Sequence, residues 1–231
     1  MLVSVHIADI SLRDLFKAQR APKPASTPGL RDAHVASCAQ LGGSVLPTPK
    51  LTRAGLVAFW DDDASLDSFL ETSALARLLE PGFRVRLAPL RAHGTWPGLD
   101  RDIAESRAVE HDGPAAVVTI ARTKWSRLPA FLKASNKAEK AVVDAPGLIW
   151  ATGLGRPPFF ATFSLWESTR ALSTYAYGNR DRGHPDAMAV NDAKPFHHES
   201  AFIRFRPYDV HGELGGKHPL VTTGTKLVSS G

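Results

Sequence analysis

Histidine can move a proton or donate a neutral lone pair near neutral pH, and three of the nine histidines sit among neighbours that suggest a site. His184 stands between Gly183 and Pro185, after a helically spaced segment that ends near Tyr177. An imidazole there could point between sheet and helix, as an iron ligand or as a general acid or base. Taken alone, a histidine in so polar a stretch (Arg180, Asp181, Arg182) reads as a surface-loop residue. His197 and His198 are adjacent, so on a strand only one can face a pocket, as ligand or distal base. With Glu199 they match no metal-binding spacing. Arg122 and Lys124 follow an apolar run and share a strand face, where they would meet an anionic ligand group or simply solvent. Arg204 and Arg206 have the same dual reading. Trp125, Trp150, Phe159, Phe160, Phe163 and Trp166 make the second half aromatic-rich, which suits a flat apolar ligand and equally an ordinary core. Gly153-Leu154-Gly155 reads as a turn between strands and not as a dinucleotide fingerprint. No Gly-x-Ser-x-Gly nucleophile elbow occurs.

These residues need elements to position them. Leu2–Ile10 alternates as a strand, and Leu12–Lys17 begins a helix. Pro22, Pro24, Pro28 and Gly29 make 21–30 a loop. Arg31–Gln40 reads as a short helical turn. Leu56–Trp60 is a strand, capped by one of Asp61, Asp62 or Asp63 ahead of a helix over Ala64–Leu79. Pro81-Gly82 stops that helix, and Phe83–Leu90 is the next strand. The plan then recurs: a strand at Ala115–Ala121, a helix at Leu128–Val143, and strands at Leu148–Thr152 and Phe159–Leu165 around a turn at Gly153–Pro158. A helix at Thr169–Tyr177 and a closing strand at Ala201–Phe205 complete it.

The echo is specific at one junction. Trp60-Asp61 and Trp166-Glu167 each stand between an apolar strand and a helix. Two such units would each expose an apolar sheet face, and joining them buries both. The expected fold is therefore α+β: two tandem ferredoxin-like repeats forming a dimeric-type α+β barrel within one chain. The expected division is 1–92 for the first repeat, 93–114 for a linker rich in Gly, Pro and charge, 115–210 for the second repeat with the site, and 211–231 for a flexible tail.

Composition sets the outer limits. Hydrophobic residues at 43% and charged residues at 22% describe a globular protein with a sizeable core. The one cysteine, Cys38, excludes an internal disulfide framework and a cysteine zinc cluster. No apolar run reaches the roughly 18 residues of a membrane span. The apolar start lacks a basic leader and reads as a strand, so the expected location is cytoplasmic. A net charge of +5 raises nucleic acid as a partner, but the Lys and Arg residues are scattered without interleaved aromatics. The expected partner is a small-molecule substrate, with no nucleic acid.

Several stretches together resemble the bacterial spheroidene monooxygenase family. They are Thr119–Lys124, the strand Phe160-Ala161-Thr162-Phe163-Ser164-Leu165-Trp166, Gly183-His184-Pro185-Asp186-Ala187-Met188, and Phe196–Phe205, with weaker support from Ala58–Asp61 and His93–Trp96. The resemblance is dense from Ala115 to Phe205. It departs at Pro195-Phe196-His197-His198, where an aromatic pair is expected, which bears on pocket shape and substrate. What it implies is a relative of the dimeric α+β barrels, haem-dependent, oxygenating an apolar substrate with an electron donor that no motif identifies. It places the iron ligand at His184; if haem is held there, the residues themselves offer Arg122 or Lys124 to a propionate and Phe163 and Trp166 to line the cofactor. Two alternatives stand beside it: a cofactor-free barrel enzyme (monooxygenase or lyase) using His184 as acid/base, and a non-catalytic haem- or ligand-binding protein. A fused pair of repeats already buries its sheet faces, so a monomer or a homodimer is expected.

Overall fold

The computed structural model describes residues 1–18, 20–41, 49–103, 110–177 and 196–214. The first repeat runs β1 (Leu2–Asp9), α1 (Leu12–Ala18), β2 (Leu30–Ala39), β3 (Pro49–Trp60), α2 (Asp63–Thr72), α3 (Ala74–Leu79) and β4 (Phe83–Gly94). The second runs β5 (Ala115–Thr123), α4 (Leu128–Val143), β6 (Leu148–Arg156), β7 (Phe159–Trp166), α5 (Thr169–Tyr177) and β8 (His197–His211). The strands close into one antiparallel barrel in the order β1-β3-β2-β6-β7-β5-β8-β4. Each half has the βαββαβ order of a ferredoxin-like fold, and the halves join through the β2–β6 and β4–β8 ladders. The tandem-repeat α+β barrel expected from the sequence is thus the observed architecture.

Strand alternation divides the apolar residues into layers. Val3, Val5, Ile7, Val57, Phe59, Val118, Ile120, Phe163, Ile203 and Phe205 fill the barrel interior. Leu2, Ala8, Leu56, Ala58 and Trp60 face outward beneath α1, α2 and α3 with Leu66, Phe69 and Leu79. A smaller outer cluster of Ala115, Val117, Trp166 and Leu172 lies beneath α5. Asp62 caps α2, its carboxylate accepting from the Ser65 amide at 2.9 Å.

Three expectations need correction. Arg31–Gln40 is no helical turn but lies almost wholly in strand β2, where Ala33 and Val35 face the helices while Ala36 and Cys38 face the barrel. The expected helix Ala64–Leu79 is two helices, α2 and α3. Ser73 has an extended backbone between them and caps α3 through its hydroxyl. Gly153–Pro158 is not a turn up to Arg156: β6 continues through Gly153 and Gly155, which pair with Ala39 and Ser37 of β2. The approach of β2 is close there: a Cβ on Gly153 would stand 3.3 Å from Leu41 Cδ2. Strand β4 runs on to Gly94, paired with Ala201, and β8 extends well beyond Ala201–Phe205. Of the expected tail, residues from 215 on lie outside the described residues. No described helix is long and apolar enough to cross a membrane.

Candidate functional site

Strand register aligns the repeats. Leu2 pairs with Trp60 in the first, and Ala115 pairs with Trp166 in the second. Ser4, His6 and Leu56 therefore correspond to Val117, Thr119 and Thr162. Near the Trp junctions the two outer faces are alike. The Trp60 indole donates to Ser4 Oγ and the Trp166 indole to Ser164 Oγ, both at 2.9 Å, and each ring packs against an aromatic of its helix, Phe69 or Tyr175. Two rungs further they diverge. His6 and Leu56 are buried, whereas Thr119 is exposed and Thr162 only half-buried. A threonine exposed midway along an interior strand, on the helix-bearing face, marks a place that the described residues of the second repeat leave uncovered.

Helix α4 borders this place without sealing it. Leu128, Phe131, Leu132, Ser135 and Val142 are half-buried, and none of its described side chains is fully buried. The Phe131 ring lies 5.1 Å from Phe160, 5.1 Å from His197 and 6.3 Å from buried Phe196, centroid to centroid. His197 reaches this face through a register shift: Arg122 pairs with Glu199, but Thr123 pairs with His197, so His198 is bulged out and exposed. Thr123 Oγ1 lies 3.2 Å from His197 Nδ1. Burial, assisted by the nearby Lys124 charge, lowers the pKa of His197, so its imidazole is neutral at neutral pH. Beside α4 the described residues thus leave an open stretch of sheet, a shallow recess over Ala121, Thr119 and Thr162, bordered by the rings of Phe131 and Phe160 and by one oriented neutral imidazole. It can take a flat apolar ligand and offer a lone pair or a proton acceptor to it.

The sequence-predicted residues scatter around this recess. His184 lies outside the described residues. Arg122 is engaged elsewhere: its Nε donates to Glu199 Oε1 at 2.6 Å and its guanidinium lies 5.6 Å from the Trp96 ring centroid. Lys124 donates its backbone N–H to the Phe196 carbonyl at 2.9 Å, which places it beside His197. Phe163 points into the barrel against Phe83 and Trp150, whereas Trp166 lies on the outer face. The two therefore occupy opposite faces of the sheet and do not line one pocket.

The helical spacing of Phe131 does not distinguish a residue bordering a site from a core residue. A second cluster lies on strand β2, whose sequence does not read as a strand. Asp32 accepts from the Trp96 indole at 2.8 Å and bonds His34 Nε2 at 3.0 Å, and His34 stacks on Phe159 at 4.2 Å. It closes the seam between β2 and the second repeat. A cleft of about 530 Å³ lies at the start of α5 between Glu110, Asp112, Arg170 and Arg204. Its mixed charges suit a flat apolar molecule poorly. Among the described residues no three of His, Cys, Asp and Glu converge as a metal cluster would require.

No family model matches the sequence. The chain is similar to the spheroidene monooxygenase of Rubrivivax gelatinosus, 32% identical over 196 residues that cover 82% of this chain and 73% of that protein. It is also similar to the spheroidene monooxygenase of Rhodobacter capsulatus, 30% identical over 141 residues, 60% of this chain and 58% of that protein. Among solved structures, an aldoxime dehydratase aligns with 90% of this chain and 81% of its own at a TM-score of 0.49 and 11% identity. An anthrone oxidase-like protein covers 91% and 92% at a TM-score of 0.36 and 12% identity.

Proposed function

Because the chain belongs to the spheroidene monooxygenase family, and so is a monooxygenase-like oxidoreductase, we propose that it is a haem-dependent monooxygenase acting on an apolar organic substrate of the carotenoid kind in the recess beside α4. The observation that carries this reading is exposed Thr119, midway along β5, where the first repeat has buried His6. The residues around it suit a porphyrin-like group: Phe131 and Phe160 offer flat apolar contact, and Ala121, Thr119 and Thr162 leave room above the sheet. The family resemblance supports His184 as the iron ligand.

Haem, when bound, supplies an iron centre through which an oxidant can be directed at a C–H bond. The chain's own residues perform the remaining work. Phe131, Phe160 and Phe196 exclude water from one side of the ligand. When His197 Nδ1–H donates to Thr123 Oγ1, the ring is held in place and Nε2 keeps its lone pair for a proton or a ligand. Burial, with the Lys124 charge assisting, keeps that ring neutral; Lys124 is placed to meet a ligand carboxylate, while Arg122 is held by Glu199. A second reading, a barrel enzyme without cofactor, is favoured by the same neutral imidazole, which would then act as the base.

The test is the absorption spectrum of protein expressed with ample haem. The expected result is a haem spectrum that His184→Ala abolishes or grossly alters, with unfolding unchanged, and that His197→Ala leaves in place. A wild type that never takes up haem overturns the haem reading and favours the base mechanism. A wild-type spectrum in His184→Ala overturns the ligand assignment.

A further inference from the structure

At the N-terminal end of α4, one turn before Phe131, the 3₁₀ turn Trp125–Arg127 presents Trp125 with 64% of its surface exposed. Among the described residues no ring or cation packs on Trp125, and the exposed indole stands among cations, an amphipathic pairing suited to a polar–apolar interface. Its surroundings indicate which interface. Over 124–133 the sequence carries Lys124, Arg127 and Lys133 and no acid. An exposed tryptophan on a basic segment is the arrangement that binds the interface of a negatively charged bilayer: the ring enters the headgroup layer and the cations meet lipid phosphates. Nucleic acid fits less well, because the turn offers one ring and no series of stacking aromatics.

We propose that the Trp125–Arg127 turn and the start of α4 dock on an anionic lipid bilayer, setting the mouth of the recess against the membrane. This rests on the reading of the recess as a site for an apolar substrate. Such a molecule is scarcely present in water and dissolves in the bilayer, so a recess that opens onto the lipid receives it without an aqueous step. Exposed Phe16 and Leu12 on α1, among Arg13, Lys17 and Arg20, form a rival surface in the first repeat. No described feature links that surface to the recess.

The experiment is flotation of the full chain with vesicles of phosphatidylcholine, alone or mixed with phosphatidylglycerol. Binding is expected to the mixed vesicles only, weakening as salt screens the charges. Trp125→Ser should lower partitioning at least about fivefold, and Trp125→Phe should restore most of it. Phe16→Ser should bind as the wild type does. Absence of binding to phosphatidylglycerol vesicles overturns the proposal, as does a Trp125→Ser variant that binds normally. Loss of binding in Phe16→Ser but not in Trp125→Ser also overturns it and moves the membrane face to α1. Flotation requires neither haem nor turnover, so it reads membrane docking whether or not the haem reading survives its own test.

Discussion

At matching registers the first repeat carries His6 and Leu56 where the second carries Thr119 and Thr162. The frame around these positions is the same: a Trp–acid junction, a helix with an aromatic over the Trp, and an arginine on the last strand (Arg86 or Arg204). The fillings differ. In the first repeat Leu2, Ala8, Leu56 and Trp60 pack with Leu66, Phe69 and Leu79 into a sealed outer core. In the second, among the described residues, the fully buried outer core lies around Trp166 and Leu172. The closed barrel explains how this is tolerated. Its interior supplies a core shared by both halves, so one outer face can be released from packing and given to a ligand. The two outer faces are equivalent in register and differ in filling, and on the proposed function that difference divides stability from binding.

The largest effect expected from this division is on stability. Leu56→Ala, at a fully buried position, should destabilise by about 2–5 kcal/mol, whereas Thr162→Ala at the matching position should cost less than about 1 kcal/mol. Chemical denaturation measures both, and equal losses would break the comparison. Acid sensitivity should divide in the same way. Burial, with Arg84 and Arg86 nearby, lowers the His6 pKa to about 3. The unfolded chain therefore binds a proton that the folded chain refuses, and stability present above the unfolded value is lost as pH falls from about 6.5 toward 3. His6→Gln should flatten that limb of a stability–pH curve. Thr119→His, at the exposed equivalent, should not create a matching one.

A smaller effect concerns the link between the repeats. Arg86 donates to Asp63 at 2.6 Å and Asp67 at 2.5 Å on α2, and to Asp209 on β8 at 2.6 Å. Arg86→Met leaves three carboxylates facing one another. Because they are 39–54% exposed, the cost should be only about 1–3 kcal/mol and should shrink in high salt. A loss insensitive to salt would show that Arg86 acts by packing instead.

The repeats were legible in the sequence because Trp60-Asp61 and Trp166-Glu167 mark the same strand–helix junction, and the period-two runs before them fix which side chains face the barrel. Strand β2 was not, because Ala, Ser, Cys and His alternate too weakly in hydrophobicity to distinguish a strand from a helix. Gly153 and Gly155 suggested a turn, since the close approach of β2 that makes them strand residues is a long-range contact. The opposite facing of Phe163 and Trp166 was available from parity alone, three residues apart on one strand. The facing of His197 toward α4 was not: it depends on a bulge at His198, and a bulge leaves no composition signal. The aromatic second half was visible as a property, but which aromatics wall the recess depends on where α4 lies.

The smallest expected change in stability belongs to the most informative substitution. Thr119 is exposed, so Thr119→Phe adds a ring above the sheet without displacing packed atoms, and aromatics suit strand positions. Unfolding free energy should move by no more than about 0.5 kcal/mol. The ring would, however, occupy the space that the first repeat fills with His6 and that the second leaves open above the strand. If the recess beside α4 receives a flat apolar ligand, uptake of haem should fall at least about tenfold, equivalent to about 1.4 kcal/mol of binding. His6→Phe supplies the control from the other repeat. His6 is 2% exposed and bonded to Ser4 at 3.1 Å, so that change should destabilise the fold by about 1–3 kcal/mol through overpacking while leaving ligand uptake in the surviving folded fraction intact. Pigment titration and denaturation on the two variants therefore form a crossed pair: one changes binding without stability, the other stability without binding. Should Thr119→Phe destabilise as much as His6→Phe, the second repeat is as tightly packed as the first. Should it leave uptake unchanged, the ligand binds elsewhere than on this face.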